Sequence, residues 1–175
     1  MSQLPDHVGL DFGSHSVKAV QLEDISSNKP TLVNFGSQVT PQGVINSEDA
    51  SHQQKLTDAL KALFDSAKIK EKRVVMALPE FSVFTRFTEY SGIKEDEIKN
   101  AVFYEAKRLI PLPIEEVQMS YLPIGYDEKR SVYKVLIVAA PRKIIDIYTS
   151  VVDKAGLEPV AIETESIAMG RAMYR

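Results

Sequence analysis

Alternation of hydrophobic and polar positions in the first forty residues predicts three strands. Residues 7–12 and 16–22 have strand character, and Gly13-Ser14-His15 between them is typical of a tight turn. A third strand is predicted at 31–39, where apolar side chains recur at every second position. The chain therefore opens with a predicted meander that ends at Pro41-Gln42-Gly43.

A helical period replaces the strand pattern after this meander. Five apolar residues recur at three- and four-residue spacing over 51–67, and Ser51 with Gln54 matches a capping box. An unbroken apolar run follows at 73–78 and stops at Pro79. A run of this kind directly after a helix predicts a strand that is buried on both faces.

The pattern changes after Pro79 and predicts a strand–helix–strand–strand unit. Three consecutive acidic residues from Glu95 suit the first turn of a helix, and Pro111 stops that helix near Ile110. The strands of the unit are predicted at 81–90, 117–126 and 132–140.

Two further helices are predicted after this unit, with a short strand between them. Pro141 suits the first position of one helix, and Gly156 is a natural terminator for it. A short buried strand is predicted at 159–163, and the last helix begins near Glu165. Two apolar residues of that helix are expected in the core: Met169 and Met173.

Composition narrows the class of function. The 175 residues are 44% hydrophobic and 26% charged, as expected for one soluble domain or two small ones. The net charge of −3 argues against general nucleic-acid binding, which needs clustered cations. The absence of cysteine excludes disulfides and fits a cytoplasmic location. No secretory signal or membrane-length apolar run is seen, so we expect membrane association only through a partner or through sequence outside this chain.

The segment DFGSHSVK, residues 11–18, carries the candidate chemistry. Gly13 permits a sharp reversal, and Ser14 with nearby N–H groups would line a concavity for anionic oxygens. Lys18 offers a positive charge to a phosphate, and Asp11 is suited to hold a hydrated Mg²⁺. The alternative is a plain hairpin in which the aspartate and the lysine form a solvated pair.

This segment resembles the first phosphate motif of the actin-like ATPase superfamily. The unit inserted after VVMALP is similar to that of the FtsA and PilM families. The string AVFYEAKRLIPLPIEEVQMSY resembles the PilM pattern, in which E-x-x-R-x-I-P-x-P precedes an acidic strand start, and VLIVAAPRKIIDIYTSVVDKAGLEPVAIETESIAMGRAM continues the similarity. The resemblance to the PilM family covers essentially the whole chain.

The resemblance implies an α/β fold, with half of an actin-like, RNase H-type lobe and an inserted subdomain. The lobe would comprise residues 1–79 and 157–175, and the strand–helix–strand–strand insert residues 80–156. Actin-like proteins complete the nucleotide site with a second Asp-x-Gly loop and a Gly-rich loop, yet the only glycine after Gly156 is Gly170. The chain therefore resembles about the first half of such a protein, and we expect half of a site for ATP and Mg, ATP binding that is weak or absent, and no enzymatic activity.

The PilM resemblance also implies a function and a partner. Members of the family are cytoplasmic scaffolds of type IV pilus assembly that bind the cytoplasmic N-terminus of the inner-membrane protein PilN. This chain would thus be peripheral to the inner membrane, within the pilus assembly complex. We expect the peptide in a groove between lobe and insert, where Phe103, Tyr104 and Leu112 either contact it or pack the insert onto the lobe. Apolar surface that normally faces the missing lobe would favour self-association.

Two acidic residues have both a functional and a structural interpretation. The resemblance assigns to Glu165 the orientation of an attacking water, whereas negative charge at a helix N-terminus is favourable in any case. Glu105 is expected to pair with Arg108 three residues later rather than to take part in catalysis.

Three other functions remain open at this stage. An FtsA-like division protein would form filaments, and a GspL-like domain would serve type II secretion. A sugar kinase of the same superfamily is disfavoured by the position of the insert.

Overall fold

The computed structural model describes residues 6–24 and 29–173, which divide into two units. One unit consists of Met1–Glu80 with Asp146–Arg175, and the other of Phe81–Ile145. We call them the lobe unit and the insert unit. In chain order the elements are β1 (Val8–Phe12), β2 (Ser16–Glu23), β3 (Thr31–Val39), α1 (Ala50–Ser66), β4 (Arg73–Leu78), β5 (Phe84–Ser91), α2 (Ile98–Leu109), β6 (Val117–Asp127), β7 (Val132–Pro141), α3 (Arg142–Lys154), β8 (Glu158–Thr164) and α4 (Glu165–Met173), with 3-10 turns at Glu80–Ser82, Glu95–Glu97 and Ile114–Glu116.

The lobe unit is built on a five-stranded sheet with the order β3-β2-β1-β4-β8. The predicted meander forms its antiparallel half, since β2 pairs antiparallel with both β1 and β3. The other half is parallel, because β1 pairs with β4 and β4 with β8. The carboxyl ends of β1, β4 and β8 therefore lie at one edge of the sheet, which is where α/β folds place ligands.

Helix α1 packs closely against β3 because of a single glycine. A Cβ atom at Gly36 would lie 2.8 Å from the Cβ of Ala67 and 2.9 Å from a methyl carbon of Leu63, so no other residue fits without moving the helix. The N-cap of α1 is Asp49, whose Oδ1 accepts the N–H of Ser51 at 2.7 Å. The predicted capping box at Ser51 is therefore wrong, because the aspartate two residues earlier satisfies the helix N-terminus.

Helix α3 belongs largely to the lobe unit, because the two units divide after Ile145, whereas the sequence predicts that the insert ends at residue 156. The buried ring of Tyr148 lies 4.6 Å from that of Phe12, and its hydroxyl donates to Oδ1 of Asn46 at 3.0 Å. Burial raises the pKa of this hydroxyl to about 12. The apolar face of α3 thus completes the core beneath β1. The helical period of α3 predicts an apolar face, but it could not indicate which surface that face would cover.

The insert unit has the strand–helix–strand–strand order that the sequence predicts. Its three-stranded antiparallel sheet has the order β5-β7-β6, and α2 covers one face. Buried residues of α2 and β7 form the centre of this small core: Ile98, Val102, Val135 and Ile137. The outer side of α2 is left exposed, and it carries two of the predicted partner residues, Phe103 and Tyr104.

Three predictions of burial are wrong. The sequence predicts that β8 is buried at 159–163, but the strand is only half-buried there and Ile162 is 37% exposed. Strand β4 alternates between buried and half-buried residues, so it is fully buried on one face only. On α4, Met169 is 59% exposed and Met173 is 77% exposed, so neither is a core residue. Within the described residues, no helix has the length and apolar character needed to cross a membrane.

Candidate phosphate-binding and partner-binding sites

The β1–β2 hairpin brings Asp11 and Lys18 together. The two residues are direct partners in the antiparallel ladder, so their side chains lie on the same face of the sheet. The Nζ atom of Lys18 donates to Oδ2 of Asp11 at 2.9 Å, and both side chains are partly exposed. A plain hairpin would contain the same solvated pair. Only the loop between the strands can therefore distinguish a phosphate site from a plain hairpin.

The loop between the strands needs glycine for steric reasons. A Cβ atom at Gly13 would lie 2.7 Å from the carbonyl oxygen of Ser16 and 3.3 Å from Nζ of Lys18. The backbone of the loop therefore approaches the lysine ammonium more closely than a side chain would allow. Beside it, the hydroxyl of Ser14 lies 3.0 Å from Nδ1 of His15, and both residues are exposed.

Sequence reasoning missed Thr40, which follows β3 directly and forms hydrogen bonds to this loop. Its hydroxyl donates to the carbonyl of Gly13 at 2.7 Å, and its N–H donates to the carbonyl of His15 at 3.0 Å. The side chain is buried, although threonine is usually exposed. The available signal was a β-branched hydroxyl residue at the end of the third strand, directly before Pro41.

These groups fit a phosphate better than they fit a metal ion. A lysine ammonium, a serine hydroxyl and backbone N–H groups are the donors that phosphate oxygens accept. Across the described residues, no group of three or more histidine and acidic side chains is arranged to hold a metal ion. Asp11 offers a single carboxylate to Mg²⁺. This ion usually takes its remaining ligands from water and substrate phosphates.

Glu165 has a structural partner at the edge of the sheet. Its Oε2 accepts the backbone N–H of Glu80 at 2.9 Å, and the carboxylate of Glu80 accepts the N–H of Ser166 at 3.3 Å. These reciprocal bonds join the segment after β4 to the start of α4. Its neighbour Glu163 is ion-paired with Arg171. This geometry supports the structural interpretation of Glu165.

The predicted partner residues lie on the exposed side of the insert unit. Tyr104 is 68% exposed, and Phe103 and Leu112 are about 40% exposed. The rings of Phe103 and Tyr104 meet edge to face with centroids 6.1 Å apart, and Nζ of Lys107 lies 4.5 Å above the Phe103 ring. Leu112 follows α2 in the exposed Pro111-Leu112-Pro113 segment. We call Phe103, Tyr104 and Lys107 the aromatic patch.

Glu105 on the same helix lies near Tyr90 of β5. Burial raises the pKa of the Tyr90 hydroxyl to about 12, and the Glu105 carboxylate beside it acts in the same direction. The buried hydroxyl nevertheless has no hydrogen-bond partner of acceptable geometry among the described residues. Arg108, the predicted partner of Glu105, is exposed.

Comparison with known proteins agrees with this architecture. A family model described as type IV pilus assembly protein PilM matches residues 9–175. Among solved structures, a chain of a PilM–PilN type IV pilus biogenesis complex is 26% identical, with a TM-score of 0.82. The match covers 97% of the present chain and 50% of the solved one. The present chain thus spans about half the length of that relative.

A second solved structure shares the fold alone. It is the cytoplasmic domain of EpsL, an inner-membrane component of the type II secretion system of Vibrio cholerae. The identity is 12% and the TM-score 0.60, with 93% of the present chain and 58% of the EpsL domain covered.

Proposed function

The chain belongs to the PilM family of type IV pilus assembly proteins, and from this premise we propose that it is a cytoplasmic scaffold that binds the N-terminal peptide of a PilN-like protein. The observation that carries this proposal is the similarity to the PilM subunit of a PilM–PilN complex. The family match favours a PilM-like function over the FtsA-like alternative. A type II secretion role has less support, because the likeness to EpsL extends only to the fold.

We assign peptide binding to the aromatic patch and to Leu112. Exposed apolar groups rimmed by charge are typical of protein interaction sites, and aromatic residues dominate binding energy at such sites. Phe103 and Tyr104 offer two rings of fixed mutual geometry, and Lys107 supplies a charged edge. Through a membrane-anchored PilN, the chain would be held at the inner membrane without inserting into it.

Fluorescence anisotropy tests the proposed function. A labelled N-terminal PilN peptide from the same genome is titrated with the purified 175-residue chain, and a peptide of scrambled sequence is the control. We expect saturable binding at tens of micromolar or tighter for the native peptide alone. A folded chain that gives equal signals for both peptides would contradict the proposal.

We further propose that the β1–β2 loop is one side of an ATP site, and we expect the 175-residue chain to bind Mg-ATP only weakly. When ATP is bound, its phosphates would be held by Lys18, Ser14 and the loop N–H groups, with Mg²⁺ neutralising phosphate charge near Asp11. These residues supply one phosphate loop, and losing half the contacts of such a site costs several kcal/mol, at about tenfold in affinity per ~1.4 kcal/mol. Isothermal titration calorimetry measures this directly, and a micromolar dissociation constant would contradict the expectation.

We propose no ATP turnover for this chain. The carboxylate of Glu165, the residue that the family resemblance connects with water activation, already accepts a bond from the backbone of Glu80.

Self-association also stays a prediction, and the exposed Met169 and Met173 favour it. Light scattering over a range of concentrations would test it.

A further inference from the structure

Thr40 makes two bonds to the loop, and they fix two peptide groups. Its hydroxyl binds the carbonyl of Gly13 at 2.7 Å, which is a short and well-formed O–H···O bond. Its N–H binds the carbonyl of His15 at 3.0 Å. The residue itself is held by β3, because the preceding Val39 pairs with Ser16 of β2.

These two bonds set the direction of the N–H groups that follow. In a trans peptide the carbonyl of one residue and the N–H of the next point in opposite directions, and the described chain contains no cis bond. Because the carbonyls of Gly13 and His15 point toward Thr40, the N–H groups of Ser14 and Ser16 point away from it. Without the Thr40 hydroxyl, the Gly13–Ser14 peptide would lose the contact that determines its orientation.

We propose that Thr40 is a positioning residue of the phosphate loop. Its buried hydroxyl keeps the N–H of Ser14 directed toward the position of an anionic oxygen, beside the Lys18 ammonium. Position 13 itself has no room for a side chain, so the loop cannot be held by a residue at that position, and the hydroxyl of Thr40 at the end of β3 supplies a contact from outside the loop. The inference rests on the proposed nucleotide site, which it refines by naming a residue outside the DFGSHSVK motif.

Substitutions at Thr40 separate the hydroxyl from the rest of the side chain. Thr40→Val keeps the shape and the backbone N–H but removes the donor to Gly13, and Thr40→Ser keeps the donor. Thr40→Ala removes the same donor and replaces the valine variant if that variant does not fold. Thr57→Val is the matched control, because Thr57 is a second buried threonine of the lobe unit whose hydroxyl donates to a carbonyl, that of Val151 at 3.4 Å.

Amide NMR on ¹⁵N-labelled protein reads the loop itself. The first measurement is the ¹⁵N order parameter at residues 13–16, and the second is the shift of the same amides on titration with millimolar Mg-ATP. For Thr40→Val we expect the loop order parameters to fall below about 0.6, the range of flexible backbone. We also expect an ATP response reduced about fivefold, since a hydrogen bond of this kind contributes roughly that factor. Thr40→Ser should match the native chain, and Thr57→Val should leave both loop readouts unchanged.

Each outcome decides the inference or the site on which it rests. Loop order parameters that Thr40→Val leaves at their native values would overturn the inference, as would an equal change in Thr57→Val, which would indicate general destabilisation. If native loop amides do not respond to Mg-ATP at all, the proposed nucleotide site fails. The order parameters then still show whether Thr40 orders the loop.

Discussion

Replacing Tyr148 with alanine is expected to lower the free energy of unfolding by about 3–5 kcal/mol, the usual range for a large aromatic residue in a core. The side chain is fully buried, its ring packs on Phe12, and its hydroxyl binds Asn46. Urea unfolding followed by circular dichroism measures the change. Because Phe12 directly precedes the β1–β2 loop, this substitution should also broaden the amide signals of residues 13–16.

Tyr148→Phe is the matched control for this prediction. It keeps the ring and removes only the hydrogen bond to Asn46, so a loss of about 1 kcal/mol is expected. If the alanine variant were no less stable than the phenylalanine variant, α3 would not be packed into the lobe unit. The predicted end of the insert at residue 156 would then be favoured over a division after Ile145.

The double substitution Phe103→Ala/Tyr104→Ala is expected to weaken binding of the PilN peptide about 100-fold. Aromatic residues that matter at an interface commonly contribute more than about 1 kcal/mol each, and about 1.4 kcal/mol for each ring corresponds to a factor of ten in affinity per ring. Both rings lie on the exposed side of α2, so the fold should lose no more than about 0.5 kcal/mol. Calorimetric titration of the peptide gives the affinity, and thermal unfolding shows whether the variant is intact.

Phe87→Ala provides the comparison within the same unit. Phe87 is 49% exposed, and it pairs with Leu136, whereas α2 covers Val135 and Ile137. Phe87 therefore lies on the face of the sheet opposite α2. Its loss should leave peptide affinity unchanged. An equal loss of affinity in both variants would show that general surface hydrophobicity, and not the aromatic patch, determines binding.

The parts of the fold that could be predicted from sequence depend on local patterns. The hairpin of β1 and β2 follows from strand periodicity around a short turn, and α2 from a helical stripe bounded by acidic residues and a proline. The pairing of Asp11 with Lys18 also follows locally, because the turn length determines which residues lie opposite each other. The PilM resemblance rests mainly on the end of α2 and the segment after it, at Glu105, Arg108, Ile110, Pro111 and Pro113, and the family match confirms it.

What the sequence could not indicate depends on contacts between distant residues. Thr40 is 27 positions from Gly13, and nothing in the motif itself points to a residue on the third strand. Tyr148 is 102 positions from Asn46, so chain order favoured assignment of the whole of α3 to the insert. The same holds for Glu165, whose bond to the segment after β4 appears only when β4 and β8 pair.

Burial on α4 shows a different limit. Met169 and Met173 are apolar and spaced for one helical face, which predicts a core position. Periodicity identifies a face that can be buried, but it does not identify the surface that would cover that face. In the part of the chain that the structure describes, both side chains are exposed.

The most direct test of the central claim is an NMR footprint of the PilN peptide on the ¹⁵N-labelled chain. We expect saturable shift changes at the amides of Phe103 and Tyr104, at their neighbours on α2 and at Leu112, with residues 13–16 unaffected. A chain that shows dispersed, folded resonances but no saturable change at any peptide concentration would contradict the scaffold function. Saturable changes confined to other surfaces would confirm binding and overturn the aromatic patch as its site.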